Sequence, residues 1–280
     1  MKISIGMPVF NGANFIGEAI ESLLNQTHTE FELIISDNGS TDNTEPICKA
    51  YANKDSRVLY VRHASNRGGL ENFRYVLKES TCDYFMWAAA DDVWDPRWVE
   101  TLLSECIETQ SVVFGKVRQI DAEGTVITSI TNDRNLSFCS YRIKRRTSFF
   151  LEPGILGKAN SIYGIYPKKI LNMENFSILG ERYIHTDMLF IYNLLKLVNL
   201  RTNCNVILYK RIHNQYDETY KVIAKQNIYY LYLNKFKNFL KYYDGYYRLS
   251  NLYEKIVIIF LFPVALLWDI FVRLYKKIHY

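Results

Sequence analysis

Four short runs rich in β-branched and aromatic residues punctuate the first hundred positions, each halted by a polar, turn-prone cluster and separated from the next by residues at helical spacing. That alternation marks an α/β unit on a mainly parallel sheet flanked by helices. Ile3 to Val9 reads as the first strand, after which Ile16, Ala19, Ile20, Leu23 and Leu24 share one helical face. Glu32 to Ser36 predicts a second strand, Arg57 to Val61 a third and Tyr84 to Ala88 a fourth. Helices are expected over Leu70 to Lys78 and from Pro96, which suits a helical first turn, through Val99, Leu102, Leu103 and Cys106. Ser111 to Ile120 and Gly124 to Ile130 are expected to form a hairpin or further strands. Residues 131–160 are polar, carry Arg142, Lys144, Arg145 and Arg146, and read as a mobile excursion.

A chain of 280 residues, 49% apolar, can bury one large core or two small ones. Its net charge of +5 hides an asymmetry. Residues 1–200 hold 21 Lys and Arg against 24 Asp and Glu, whereas residues 201–280 hold 13 against 5 and 13 of the 22 tyrosines. This distribution argues against a nucleic-acid groove over the whole protein. It favours a basic end that touches an anionic surface, lipid headgroups first. Beyond Tyr220, Ile228, Tyr232, Phe236, Phe239, Leu240 and Tyr243 make one apolar stripe, and Ile256 to Trp268 is a continuous apolar run interrupted by Pro263. Such a run reaches about 20 Å as helix, short of the ~30 Å hydrocarbon core, and Asp269 follows at once. A monotopic or re-entrant anchor is therefore expected, with a protein-interaction surface as the alternative. The division predicted is an α/β domain over residues 1–218 and a helical, basic, aromatic region over 219–280.

The five cysteines are scattered and never in C-x-x-C spacing, which suggests neither a disulfide framework nor a zinc site. The first residues lack the apolar core of a signal peptide, so a cytoplasmic location is expected.

In an open parallel sheet, ligands bind outside the carboxyl ends of the strands. Four predicted strands end in polar segments that converge on one such edge: Pro8 to Gly12, Asp37 to Asp42, Asn66 to Gly69, and Asp91-Asp92. No G-x-G-x-x-G follows the first strand and no G-K-[ST] occurs. A bound diphosphate would then need a cation held on carboxylates. Asp91-Asp92 suits Mg²⁺ or Mn²⁺, which take hard oxygen ligands from one or two carboxylates plus the substrate's phosphates. The alternative is that Asp91, Asp92 and Asp95 cap the helix that begins near Pro96.

Taken together, Met7-Pro8-Val9-Phe10-Asn11-Gly12, Ala19 to Thr27, Glu32 to Thr44 with its Asp37-Asn38-Gly39-Ser40-Thr41-Asp42, Asn66-Arg67-Gly68-Gly69 with Asn72, and Asp91-Asp92 with Pro96 resemble the family 2 glycosyltransferases. The resemblance is strong over about residues 3 to 105, thins through about 215 and does not cover the tail. It implies the GT-A fold, a Rossmann-like mainly parallel sheet, here with a helical C-terminal extension. It also implies inverting transfer of a sugar from a nucleoside diphosphate sugar, a UDP-sugar being favoured, with Mn²⁺ or Mg²⁺. By position, Pro8, Phe10 and Asn11 line the nucleoside pocket, Asp37 contacts the base or braces its loop, and Arg67 and Asn72 fall in the next donor-binding segment. Asp91 and Asp92 divide contact with ribose and metal. His213, in Tyr209-Lys210-Arg211-Ile212-His213, falls where relatives often place a His near the diphosphate or metal, and Gly164 resembles a small-residue position near the acceptor.

Two positions depart from the family pattern: Ala89 stands where an acidic residue often precedes the pair, and Asn38 where a second Asp often sits beside the base. An inverting transfer needs a general base, and Asp187, opening the apolar stretch Met188-Leu189, resembles the element that carries it; Glu181 is the fallback. Asp187 reads alternatively as a helix N-cap. Trp87 and Trp94 flank the acidic pair, where either stacking on a sugar or core burial fits. Lys210 and Arg211 could neutralise a diphosphate or be solvated. The Q-x-x-R-W signature of processive synthases is absent, which favours single-residue transfer.

The expectation is an enzyme at the inner face of the plasma membrane, adding a sugar to a glycan or lipid-linked acceptor in cell-surface polysaccharide synthesis. A non-catalytic sugar-nucleotide binder and a nucleotidyltransferase are the rival readings.

Overall fold

The computed structural model describes residues 1–171, 186–212 and 228–279. In chain order it contains β1 (Ile3–Val9), α1 (Ile16–Leu24), β2 (Phe31–Asp37), α2 (Thr44–Lys54), β3 (Val58–Arg62), α3 (Gly69–Glu79), β4 (Tyr84–Trp87) and β5 (Val93–Trp94). There follow α4 (Trp98–Thr109), β6 (Val112–Ile120), α5 (Arg142–Leu151), β7 (Ile165–Pro167), α6 (Thr186–Leu194), β8 (Leu200–Arg211), α7 (Ile228–Arg248) and α8 (Leu252–His279). The eight strands form one sheet in the order β3-β2-β1-β4-β7-β6-β8-β5. β3, β2, β1 and β4 run parallel, as the crossover helices between them require. β7 enters antiparallel to both β4 and β6, and β5 antiparallel to β8, so the sheet as a whole is mixed.

Strand alternation sends neighbouring side chains to two cores. Ile3, Ile5, Met7, Leu33, Ile35 and Met86 face α1 and α4, together with Trp94, Trp98 and Cys106. Ile34, Phe85 and Trp87 face the opposite layer, built from α3, α5, α6 and the C-terminal helices. All but one of β1's residues are buried and every residue of β2 is, which is why their sequences read as near-continuous apolar runs, with Ser4 hydrogen-bonded to Glu32 between them.

Three stretches differ from what the sequence suggests. Residues 131–160 are no free excursion: α5 buries Arg146, Phe149 and Phe150, and Leu136 and Phe138 join the same core. The charges of Arg145 and Arg146 are taken up by the protein, while Lys144 is exposed. Arg145 donates to the carbonyls of Leu195, Ser140 and Lys196, and Arg146 to those of Tyr192 at 2.6 Å and Leu249 at 2.9 Å. Gly124 to Ile130 forms no strand and contributes one isolated bridge, Val126 to Ile120. The apolar run from Ile256 lies inside a helix of 28 residues that continues through Pro263 and beyond Asp269. The 218/219 boundary lies outside the described residues.

Candidate active site

The carboxyl ends of β1 and β2 are cross-linked by the polar residues that end them. Asn11, with a φ of 52°, donates its N–H to Ser40 Oγ at 2.9 Å, and its Oδ1 accepts from the Thr41 N–H at 2.8 Å. Gly12 N–H donates to Thr44 Oγ1 and Ala13 N–H to Asp42 Oδ2. Asp37 is fully buried: Oδ1 accepts the Ser40 N–H at 2.8 Å and Oδ2 the Tyr60 hydroxyl at 2.7 Å. Of its two sequence-derived roles, bracing the loop is the one its hydrogen bonds perform. Gly39, at φ 77° with the Ser65 backbone beside it, makes the turn possible.

Asn38 is also buried and pins the next loop, donating to Asn66 Oδ1 and the Gly68 carbonyl while accepting the Arg67 N–H. Asn72 reaches back from α3 to the carbonyls of Val9 and Ser36, so it ties β1 to β2 from beneath. Pro8, Phe10, Asn11 and Arg67 remain accessible along this edge, with Phe10 46% exposed. Beside them a pocket is lined by Asn38, His63, Arg67, Asn72, Tyr75 and Lys78, among others. Burial and the Arg67 guanidinium push the His63 imidazole below its ordinary value.

The acidic pair follows β4 and is split by its environment. Asp91 is half-buried, whereas Asp92 is 1% exposed. Asp92 Oδ1 accepts the Arg211 N–H at 2.9 Å, while its buried Oδ2 has no hydrogen-bond partner. Burial, then the neighbouring Asp91 carboxylate, push the Asp92 carboxyl up to about 7, against the pull of Lys210 and Arg211. A buried carboxylate oxygen without a proton donor is suited to a cation. Among the described residues no three His, Cys, Asp or Glu side chains form a ligand cluster. The donor set therefore fits an ion that takes one or two carboxylates from protein and its other ligands from substrate and water, as Mg²⁺ or Mn²⁺ does. His213 and Glu181 lie outside the described residues.

Arg211 is neither simply solvated nor simply turned to a diphosphate; its surroundings show a third use. It is buried, donates to the carbonyls of Asp91, Asp121 and Ala122, pairs with Glu18 at 2.5 Å, and stacks on the Phe15 ring at 4.5 Å. It thereby clamps the acidic loop to α1, the helix that follows the first polar loop. Lys210 donates to Asn160 Oδ1 at 2.8 Å and lies over the Tyr163 ring. Trp87 and Trp94 are core residues, buried and packed edge to face on aromatic neighbours. Gly164 is a packing glycine, since a Cβ there would fall 2.8 Å from the Val113 carbonyl oxygen.

Asp187 sits in the first turn of α6, partly exposed, with Oδ1 accepting the Met188 N–H at 2.8 Å. The helix behind it is buried throughout and packs Phe190 against Trp87 of β4. It is also packed by α5, through Phe149 and Arg146 against Tyr192, and by α7. Tyr242 donates to Met188 Sδ at 3.3 Å, and Tyr246 meets Tyr192 edge to face at 4.6 Å. Sequence reasoning missed Arg211 as a clamp, and it missed the α7 tyrosines, whose partners are distant in the chain.

Comparison with known proteins agrees with this geometry. The family model described as Glycosyl transferase family 2 matches residues 4–164. A glycosyltransferase of Rickettsia felis is 28% identical over 266 residues, 85% of this chain and 42% of the relative. The glycosyltransferase GlyG of Streptococcus pneumoniae is 28% identical over 218 residues, 75% of this chain and 70% of GlyG. This chain thus spans less than half the length of the Rickettsia relative. Among solved structures, S. aureus TarS superposes with a TM-score of 0.61 at 17% identity, covering 96% of this chain and 88% of the TarS chain. TarS has also been solved in complex with UDP-GlcNAc, where the TM-score is 0.57 at 20% identity over 76% of this chain and 59% of the other. With the family model covering more than half its length and the sheet and edge loops arranged as described, the chain belongs to glycosyl transferase family 2.

Proposed function

We propose that this chain moves one sugar from a nucleoside diphosphate sugar, a UDP-sugar above all, to a hydroxyl of a glycan or lipid-linked acceptor, inverting the anomeric centre, in cell-surface polysaccharide assembly. Family membership supports sugar transfer, and the UDP and UDP-GlcNAc complexes of TarS support the donor class. In this reading Pro8, Phe10, Asn11 and Arg67 receive the nucleoside on an edge that Asp37, Asn38 and Asn72 hold in shape. Asp91 contacts the ribose and, with Asp92 and His213, is a candidate holder of Mn²⁺ or Mg²⁺. When bound, the cation would offset the negative charge of the diphosphate. Lys210 adds a positive charge beside Asp92. Asp187 accepts the proton of the acceptor hydroxyl as that oxygen attacks the anomeric carbon on the face opposite the diphosphate, which leaves with the bonding pair.

The observation that supports this reading most is the unpaired, buried Oδ2 of Asp92 beside the polar edge. Residues 219–280 would hold the enzyme at the inner face of the plasma membrane, where a lipid-linked acceptor meets it in two dimensions. The excess of 13 basic over 5 acidic residues in 201–280 supports that attachment.

A panel of nucleotide sugars, scored by thermal stabilisation with Mn²⁺ and with chelator, tests the reading, because a bound donor raises stability by RT ln(1 + [L]/Kd). A UDP-sugar is expected to stabilise only with metal present, and Asp92→Asn to lessen the shift. If no nucleotide sugar stabilises the protein, the reading is wrong.

A further inference from the structure

α8 carries two opposed faces. Glu254, Ile258, Ala265 and Val272 are buried, four, seven and seven residues apart, and so form one stripe along the helix. Ile258 and Ala265 enter the core shared with α5 and α6. Glu254 pairs with both Arg142 and Arg146 at 3.1 Å, and the Phe262 ring rests against Tyr243 of α7 at 4.2 Å. Half a turn away lie Leu252, Ile256, Phe260, Leu267, Phe271 and Leu274, all exposed, Phe260 at 77% and Leu267 at 67%. No charged residue falls between Ile256 and Trp268. At 100° per residue, Lys255, Asp269, Arg273, Lys276 and Lys277 fall on the docked side or along one flank.

By length and composition alone α8 could cross a membrane, since 28 residues span about 42 Å. Crossing would require the stripe from Glu254 to Val272, about 27 Å of helix, to leave the body. The Glu254 carboxylate would then lose two guanidinium partners, and a core-length span beginning at Ile256 would carry Asp269 into hydrocarbon.

We propose that α8 stays docked and lies in the plane of the membrane interface, its outer apolar face sunk among the acyl chains of an anionic bilayer and its flanking cations at the headgroups. An amphipathic helix with cations beside a broad apolar face binds in this way. The proposal rests on the membrane attachment stated above and adds its orientation. It also puts the acceptor side at the lipid surface, because α7, which packs on the Asp187 helix, packs on α8 as well.

Trp268 is the natural reporter. It is 44% exposed, while Trp87, Trp94 and Trp98 are buried. The full-length chain is mixed with phosphatidylglycerol–phosphatidylethanolamine vesicles whose acyl chains carry bromine either near the headgroup or near the chain terminus. Co-flotation is expected, with Trp fluorescence quenched more by the shallow bromine, and with quenching lost in Trp268→Phe. Phe260→Ser/Leu267→Ser/Phe271→Ser should weaken flotation by more than about tenfold while leaving the donor-induced thermal shift unchanged. Stronger quenching by the deep bromine would mean a crossing helix and overturn the proposal. Absence of vesicle binding would overturn it too, as would a dimer in sedimentation velocity that the triple variant dissolves. Loss of the donor shift in both proteins would instead count against the sugar-transfer reading and leave the vesicle result standing.

Discussion

The indole of Trp87 and the ring of Phe190 meet edge to face with centroids 5.8 Å apart. Trp87 ends β4, four residues before Asp91, and Phe190 lies one helical turn after Asp187. A single core contact thus joins the strand that delivers the acidic pair to the helix that carries the proposed base. Aromatic pairs of this geometry contribute about 0.5–1.5 kcal/mol beyond the area they bury. The larger consequence is positional.

Phe190→Leu keeps an apolar side chain but removes the edge contact, so α6 can shift against β4. Transfer rate is expected to fall about tenfold or more, because small displacements of a reacting group are costly, with donor affinity changed less than about twofold. Initial rates and donor titrations on the same preparation measure the split. Equal losses in both would show that α6 and the donor edge are not held separately.

Asp187→Asn preserves an oxygen for the Met188 N–H and hence the start of α6. The amide cannot accept the acceptor's proton. Transfer should drop by roughly 10²- to 10⁴-fold, while nucleotide-sugar stabilisation stays as in the parent. An Asn variant with full turnover would reduce Asp187 to a helix cap.

Arg211→Met tests the clamp. The methionine leaves the carbonyls of Asp91, Asp121 and Ala122 without their donor and Glu18 without its partner. Hydrogen bonds from a charged donor are worth about 1.5–3 kcal/mol each, so a loss of at least about 3 kcal/mol is expected. For a chain of this size that lowers Tm by about 6–12 °C. Metal-dependent donor stabilisation should weaken with it, since the acidic loop loses its tie to α1. A Tm within a degree of the parent would mean that water replaces the clamp.

What was legible in advance follows from how local each signal is. β1, β2 and β4 and their polar ends could be read directly, because burial on both faces writes an apolar run and a sheet edge writes Asn, Asp, Gly and Ser. The roles of Asp37, Asn38 and Asn72 as braces were less legible. A buried amide and a ligand-binding one have the same sequence, and only the partners Tyr60, Asn66 and Val9 distinguish them. The basic segment that opens α5 departs from its sequence expectation for a related reason. Arginine in a polar context suggests solvent, yet Arg145 and Arg146 satisfy helix-end carbonyls of α6 and α7 some fifty to a hundred residues away. β8 was hidden as well, since its polar Thr202-Asn203-Cys204-Asn205 is not a strand-like run: Thr202 and Asn203 pair with Phe114 and Gly115 of β6, and the strand bulges before pairing resumes at Ile207.

Lys158 gives the last prediction, a pH dependence of stability. Its Nζ donates to the Phe149 carbonyl at 2.7 Å and faces the rings of Phe149, Tyr242 and Tyr246. Burial pushes the amine down to about 7, against the pull of the Glu152, Asp269 and Asp187 carboxylates. In the unfolded chain a lysine titrates near ~10.4. Between those two values the unfolded state binds more protons than the folded one, so this residue's contribution to stability rises with pH from about 7 to about 10 and is constant below about 7. The span amounts to a few kcal/mol, about 5 at most. Buried Cys48 and Cys106, both pushed up to about 12, act in the opposite direction, but only from about pH 8.5 upward, where the unfolded thiols begin to ionise. The difference between parent and Lys158→Met isolates the lysine. At about pH 6 to 7 the Met variant should be the more stable, because it avoids burying a charge; that advantage should shrink steadily and vanish near pH 10. Urea unfolding across this range, with both proteins in the same buffers, gives the gap directly. A gap that does not change with pH would show that Lys158 keeps its proton in the folded protein.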